Sequence, residues 1–104
     1  MTYDEFVLET AMLPATETTY FALGLAGEAG EVADQAKRII RDDGGELTED
    51  RRHKILLELG DVLWYLTALA NHLGISLAEV QRANVEKLTR RYRENKLHGD
   101  GDDR

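Results

Sequence analysis

Cysteine is absent from the 104 residues, and proline and tryptophan occur once each. Without cysteine there is no disulfide framework, no thiolate metal site and no cysteine nucleophile. A reducing, cytoplasmic setting suits such a chain. With its one proline at position 14, little interrupts a helix. No apolar run approaches the roughly 20 residues of a membrane span, and the start, Met1-Thr2-Tyr3-Asp4-Glu5, lacks the basic and apolar regions of a signal peptide. Positive charge is scarce as well: 13 Lys and Arg stand against 20 Asp and Glu, for a net charge of −7. That balance argues against a surface that tracks nucleic-acid phosphates. A small anion remains acceptable, provided a metal ion or a few placed cations offset the carboxylates. The mixture of 42% hydrophobic and 32% charged residues is that of a folded domain, and the length allows one core but not two.

What is present is helical. Thr2-x-x-Glu5 forms a capping box for a short helix reaching about Met12, after which Pro14 breaks the chain. A second helix is predicted from about Glu17 to Arg41, where Phe21, Leu25, Val32, Ala36, Ile39 and Ile40 recur near the helical period. Asp42-Asp43-Gly44-Gly45 closes it. Thr48 caps a third helix running to Leu73, with Gly74 as its stop. Ser76-x-x-Glu79 opens a fourth helix to about Lys96. Strand-like alternation is missing throughout. The expected fold is therefore all-α. It is a bundle of three long helices plus a short N-terminal one, formed by residues 1–97 and followed by a polar tail, 98–104. Three helices of about 20–25 residues are near 30–38 Å long. On so small a chain they leave apolar surface uncovered, so a homo-oligomer is expected to complete a four-helix core.

Within the third helix, residues 55–66 are apolar apart from Glu58, Asp61 and the Tyr65 hydroxyl. Ile55, Leu59, Val62, Leu66 and Leu69 make one stripe, widened by Leu56, Leu63 and Ala70. Glu58 and Asp61, three residues apart, sit together beside it. Tyr65 lies one turn beyond Asp61. The second helix repeats the arrangement with Glu28 and Glu31, set among Gly24, Gly27 and Gly30. Each glycine costs a helix about 1 kcal/mol relative to alanine, so three at a spacing of three point to a seam approached closely by another backbone or a ligand. Carboxylates among bundle-facing residues are costly unless paired, protonated or bound to metal. Four of them converging without a cation would repel, with raised pKa values. An all-oxygen set selects hard divalent ions, Mg²⁺ or Mn²⁺, and two such ions about 3.5–4 Å apart suit displacement at phosphorus. The alternative for any acidic pair in so acidic a chain is a solvated face. That is the reading for Glu46, Glu49, Asp50 and the pair Asp4 and Glu5.

Gly27-Glu28-Ala29-Gly30-Glu31-Val32, followed by Glu58-Leu59-Gly60-Asp61-Val62-Leu63-Trp64-Tyr65, resembles the MazG-like nucleoside triphosphate pyrophosphohydrolases, whose hallmark is E-x-x-E, a variable spacer, then E-x-x-D. Here 26 residues separate Glu31 from Glu58. Asn84-Val85-Glu86-Lys87-Leu88-Thr89-Arg90-Arg91-Tyr92 resembles the N-x-x-K-L-x-x-R-Y segment of that family. The ending, Gly99 to Arg104, is similar to the G-x-G-D-x-R close of some short members. The resemblance implies an all-α fold and Mg²⁺-dependent cleavage of a nucleoside triphosphate between its α- and β-phosphates, giving a monophosphate and pyrophosphate. It also implies dimers, or tetramers built from dimers, in which helices of two subunits complete the bundle. Carried over by position, Glu28, Glu31, Glu58 and Asp61 become metal ligands, and the same cluster orients the attacking water.

Asn84, Lys87 and Arg91 lie at i, i+3 and i+7, so they share a helix face. Lys87 and Arg91 are candidates to meet the triphosphate, with Arg offering a bidentate fork, and Asn84 to hydrogen-bond sugar or phosphate. The alternative is a solvated cationic face near a helix C-terminus, favourable to the dipole. Lys37 and Lys54 are further phosphate candidates, although each also suits an i,i+4 pair, such as Lys54 with Glu58. Tyr65 is a candidate contact for the base, with Tyr20 and Phe21 as further candidates, whereas Trp64 reads as core. The tail through Arg104 is either a flap over bound nucleotide or a frayed terminus. Two other functions stay open. One is phosphoribosyl-ATP pyrophosphohydrolase, built on a similar carboxylate helix pair. The other is a non-catalytic helical module whose carboxylates pair with a partner's cations. A di-iron protein is disfavoured, because no Glu-x-x-His occurs.

Overall fold

A computed structural model describes residues 1–11 and 18–94. Four helices follow one another: α1, Tyr3–Thr10; α2, Thr18–Asp42; α3, Glu49–His72; and α4, Leu77–Arg93. No strand occurs among the described residues, so the all-α expectation holds. No described helix is long and apolar enough to cross a membrane. Met12, Pro14, Glu17, Lys96 and the tail 98–104, to which several sequence expectations refer, lie outside the described residues.

The helix starts follow from local chemistry. Thr2, Thr48 and Ser76 each adopt extended backbone, and their hydroxyls accept from the amides of Glu5, Arg51 and Glu79 at 3.1 Å. Each bond satisfies an amide that the first helical turn leaves without a partner. The α3 end is a Schellman turn: Ile75 N–H donates to Ala70 O at 2.8 Å and Gly74 N–H to Asn71 O at 3.0 Å. Gly74 sits at φ 76°, a conformation that a Cβ would strain. Gly44 and Gly45, at φ 67° and 81°, close the α2–α3 turn in the same way.

α2 and α3 form the principal packed pair, and α1 and α4 add smaller contacts with α3. Val7, Phe21 and Ala68 form a buried apolar cluster against which Tyr3, Trp64, Tyr65 and Leu69 pack, at the α1 end of the hairpin; Ala70 is the other buried apolar residue among the described residues. Trp64 belongs to this core, as read from the sequence, and its indole N–H donates to Thr10 Oγ1 at 2.8 Å. At the opposite end, buried Arg51 donates to Gln35 Oε1 at 2.7 Å and to Asp43 Oδ2 at 2.8 Å. Asp43 is thereby held below the ordinary carboxylate range, first by the hydrogen bond from Arg51.

The apolar stripe of α3 is covered only in part, as expected of long helices on so small a chain. Its C-terminal half enters the core, but Leu56 and Leu59 are 58% and 50% exposed, and Leu23 and Ile40 on α2 are 68% and 79% exposed. The radius of gyration, 16.6 Å, exceeds the about 13 Å of a compact chain of this length. The described residues therefore leave part of their apolar faces uncovered.

Candidate active site

Glu28 on α2 and Glu58 and Asp61 on α3 face one another across the hairpin, and one carboxylate oxygen of each lies within 4.8 Å of the other two. Helical spacing puts Glu58 and Asp61 on one face of α3; α2–α3 packing then delivers Glu28 to them. Glu28 and Glu58 are half-buried and Asp61 is exposed. Glu28 is pushed above the usual carboxylate range, first by burial and then by the charges of Asp61, Glu58 and Glu31. Glu31, one turn further along α2, is exposed and stands outside the 4.8 Å group. Two helices have thus gathered like charges that no lysine or arginine bridges in the ion pairs found among the described residues. This hard-oxygen donor set fits a divalent cation.

Tyrosines stand at one side of the cluster. The Tyr65 phenol is pushed up by burial, by the adjacent Tyr20 hydroxyl and by the charges of Glu28 and Asp61. The Tyr65 ring meets Trp64 edge-on at 5.1 Å and covers Gly24, where a Cβ would collide with it. Of the three glycines expected to form a seam, Gly24 alone has a neighbour among the described residues; none of these lies within 4 Å of a Cβ at Gly27 or Gly30. Tyr20 is 39% exposed, whereas Phe21, the other aromatic considered for a base pocket, is a core residue packed near His72 at 5.5 Å. A third tyrosine escaped the sequence reading. Tyr3 of α1 has its phenol pushed up by burial and by the Asp61 charge, and no periodic pattern ties position 3 to position 61.

The cationic candidates are distributed elsewhere. Lys37 pairs with Asp34 at 3.0 Å. Lys54 pairs with Asp50 at 3.0 Å and not with Glu58, whose carboxylate is turned toward Asp61 and Glu28. Asn84 and Lys87 border a groove on α4 with Ile75, Glu79, Val80 and Ala83, and Arg91 is buried. Among the described residues, α4 keeps only a small contact with α3.

Residues 16–95 match the MazG nucleotide pyrophosphohydrolase domain. The chain belongs to this MazG family. The MazG match takes in both carboxylate pairs and the whole of α4, and it leaves α1 outside. Gene 37 protein of Mycobacterium phage L5 is 43% identical over 86 residues, which are 83% of this chain and 75% of that protein. The uncharacterized protein YvdC of Bacillus subtilis (strain 168) is 38% identical over 73 residues, 65% of this chain and 69% of that one. No solved structure matches the chain.

Proposed function

We propose that this MazG-family chain is a Mg²⁺-dependent hydrolase that cleaves nucleoside or deoxynucleoside triphosphates between the α- and β-phosphates, releasing the monophosphate and pyrophosphate. The observation that carries the reading is the convergence of Glu28, Glu58 and Asp61 within 4.8 Å, inside the matched domain. These three, joined by Glu31, hold Mg²⁺, for which Mn²⁺ can substitute. The bound cation would polarise the phosphates and lower the pKa of an attacking water. The protein's own part is to place carboxylates where that water must be oriented, and positioning and charge neutralisation account for most of such catalysis. Asn84, Lys87 and Arg91 are assigned to the sugar and triphosphate, Tyr65 to the base, and Lys37 and Lys54 to outer phosphate contacts reached by exchanging their present partners. The exposed leucines of α3 and the open α4 support a homo-oligomer that completes the bundle.

The test is pyrophosphate release from a panel of ribo-, deoxy- and modified nucleoside triphosphates, with Mg²⁺, Mn²⁺ and EDTA arms. Metal-dependent release of pyrophosphate with the matching monophosphate is the expected result, and the substrate ranking supplies the base and sugar preference. A folded, metal-replete protein that turns over none of them overturns the reading and returns attention to phosphoribosyl-ATP.

A further inference from the structure

α1 lies outside the matched domain, yet it is fixed along its whole length. Thr10 accepts from the Trp64 indole at 2.8 Å, and Val7 is buried. At its first turn Asp4 Oδ1 accepts from two donors, Asn71 Nδ2 at 2.8 Å and the Leu77 amide at 2.9 Å. Asn71 belongs to the last turn of α3, and Leu77 is the first residue of α4. Asn71 Nδ2 also donates to Ile75 O at 3.1 Å, inside the turn. One carboxylate oxygen of α1 therefore ties both sides of the α3–α4 turn together. The sequence reading of Asp4 as one of a solvated acidic pair is overturned, because its partners are 67 and 73 positions away.

Few contacts of the described residues set the direction of α4 at this turn. Only residues 73–76 separate the helices, Gly74 stands at φ 76°, and α4 then keeps a small contact with α3. A helix is ordinarily aimed by the face it packs. Among the described residues, hydrogen bonds at the first turn of α4 add to that small contact and to the burial of Arg91 near the far end. Ser76 serves the Glu79 amide from within the turn at 3.1 Å, whereas Asp4 reaches the Leu77 amide from a separate helix. Leu77 N–H is one of the amides without an intrahelical partner, and negative charge is favoured at that end by the helix dipole.

We propose that α1 is a latch on the direction of α4, with Asp4 the positioning residue for the face that carries Asn84, Lys87 and Arg91. The kinetic consequence rests on the assignment of that face to substrate; the latch itself does not. Because the chain has no native cysteine, nitroxide labels at His53→Cys and Glu86→Cys, both exposed positions, read the α3–α4 distance by pulsed electron paramagnetic resonance. Labelled protein is diluted into excess unlabelled protein so that distances within a chain are read. Asp4→Ala is expected to broaden a narrow distribution. It should also raise KM for a nucleoside triphosphate about fivefold with kcat little changed, as follows if about one fifth of the molecules hold α4 in the binding-competent direction. Asp4→Asn keeps an oxygen acceptor for both donors and is expected to restore the narrow distribution and most of the KM. A distribution in Asp4→Ala as narrow as in the wild type overturns the latch. A broadened distribution with unchanged KM overturns the positioning role. Wild-type protein without turnover overturns the functional reading instead, and the distance measurement then decides the latch alone.

Discussion

The Tyr65 ring fills the space that a Cβ at position 24 would occupy. Tyr65 also stands beside Glu28 and Asp61, so Gly24 sets how closely α2 and α3 approach at the carboxylate cluster. Gly24→Ala gains about 1 kcal/mol of helix propensity and meets an overpacking cost of about 1–3 kcal/mol. Net destabilisation is expected in urea unfolding, together with a raised KM from a displaced Tyr65. Gly27→Ala and Gly30→Ala meet nothing among the described residues, so their folded monomer should gain stability. A loss of oligomer in either variant would place that glycine at a contact between subunits.

Glu28, Glu58 and Asp61 repel one another when no cation is bound. Neutralising one of them, as Glu58→Gln or Asp61→Asn, is expected to raise the melting temperature in EDTA while abolishing most pyrophosphate release. In the wild type, a divalent ion at about 100 times its Kd adds about 2.7 kcal/mol of stability, and the variants should lose that increment. Near wild-type turnover in either variant would remove the site assignment. Glu31→Gln separates the roles within its pair: a smaller loss than at Glu28 is expected from its exposed position outside the group.

Asp43 gives the α2–α3 turn an acid limit. Its folded pKa is depressed, chiefly by the Arg51 hydrogen bond. Its contribution is therefore fully present above the unfolded value of about 3.9 and is lost as pH falls through the lower folded value. Asp4, Asp34 and Asp42 are depressed as well, so the difference between proteins is the informative quantity. Arg51→Met should be less stable than wild type at neutral pH, and the gap in unfolding midpoint should close toward pH 3. A gap that stays constant would show that Arg51 acts through Gln35 or through packing alone.

Leu59, 50% exposed on α3 beside Ile55 and Leu56, tests whether this apolar face is covered by a second copy. Leu59→Glu is expected to shift the protein in light scattering toward the 11.7 kDa of one chain, with loss of turnover if the oligomer completes the site. Wild-type protein already at that mass would refute the oligomer.

Much of the helical frame was legible because it is decided within a few residues. Expected bounds near 17–41, 48–73 and 76–96 stand against 18–42, 49–72 and 77–93, since Thr48, Ser76 and Gly74 act on amides and carbonyls no more than five positions away. The pairing of Glu58 with Asp61 was legible for the same reason, as a spacing of three fixes a common helix face. Which member of the α2 pair reaches them was not: Glu28 enters the group and Glu31 stays outside because of how α2 is rotated against α3. Nor was the partner of Lys54, which pairs with Asp50 although Glu58 lies equally four residues away on α3.

From the sequence alone came an all-α chain with four helices, the face of each carboxylate pair, and the resemblance that the matched domain bears out. These depend on capping bonds, on the 3.6-residue period and on residue order, which act along the chain. Tertiary structure alone decided the contact of Tyr65 with Gly24, the burial of Arg51 against Gln35 and the reach of Asp4 to Leu77. Each joins residues 16 or more positions apart. Helix rotation and crossing select such contacts by summed packing and hydrogen bonding, and no local pattern encodes that sum.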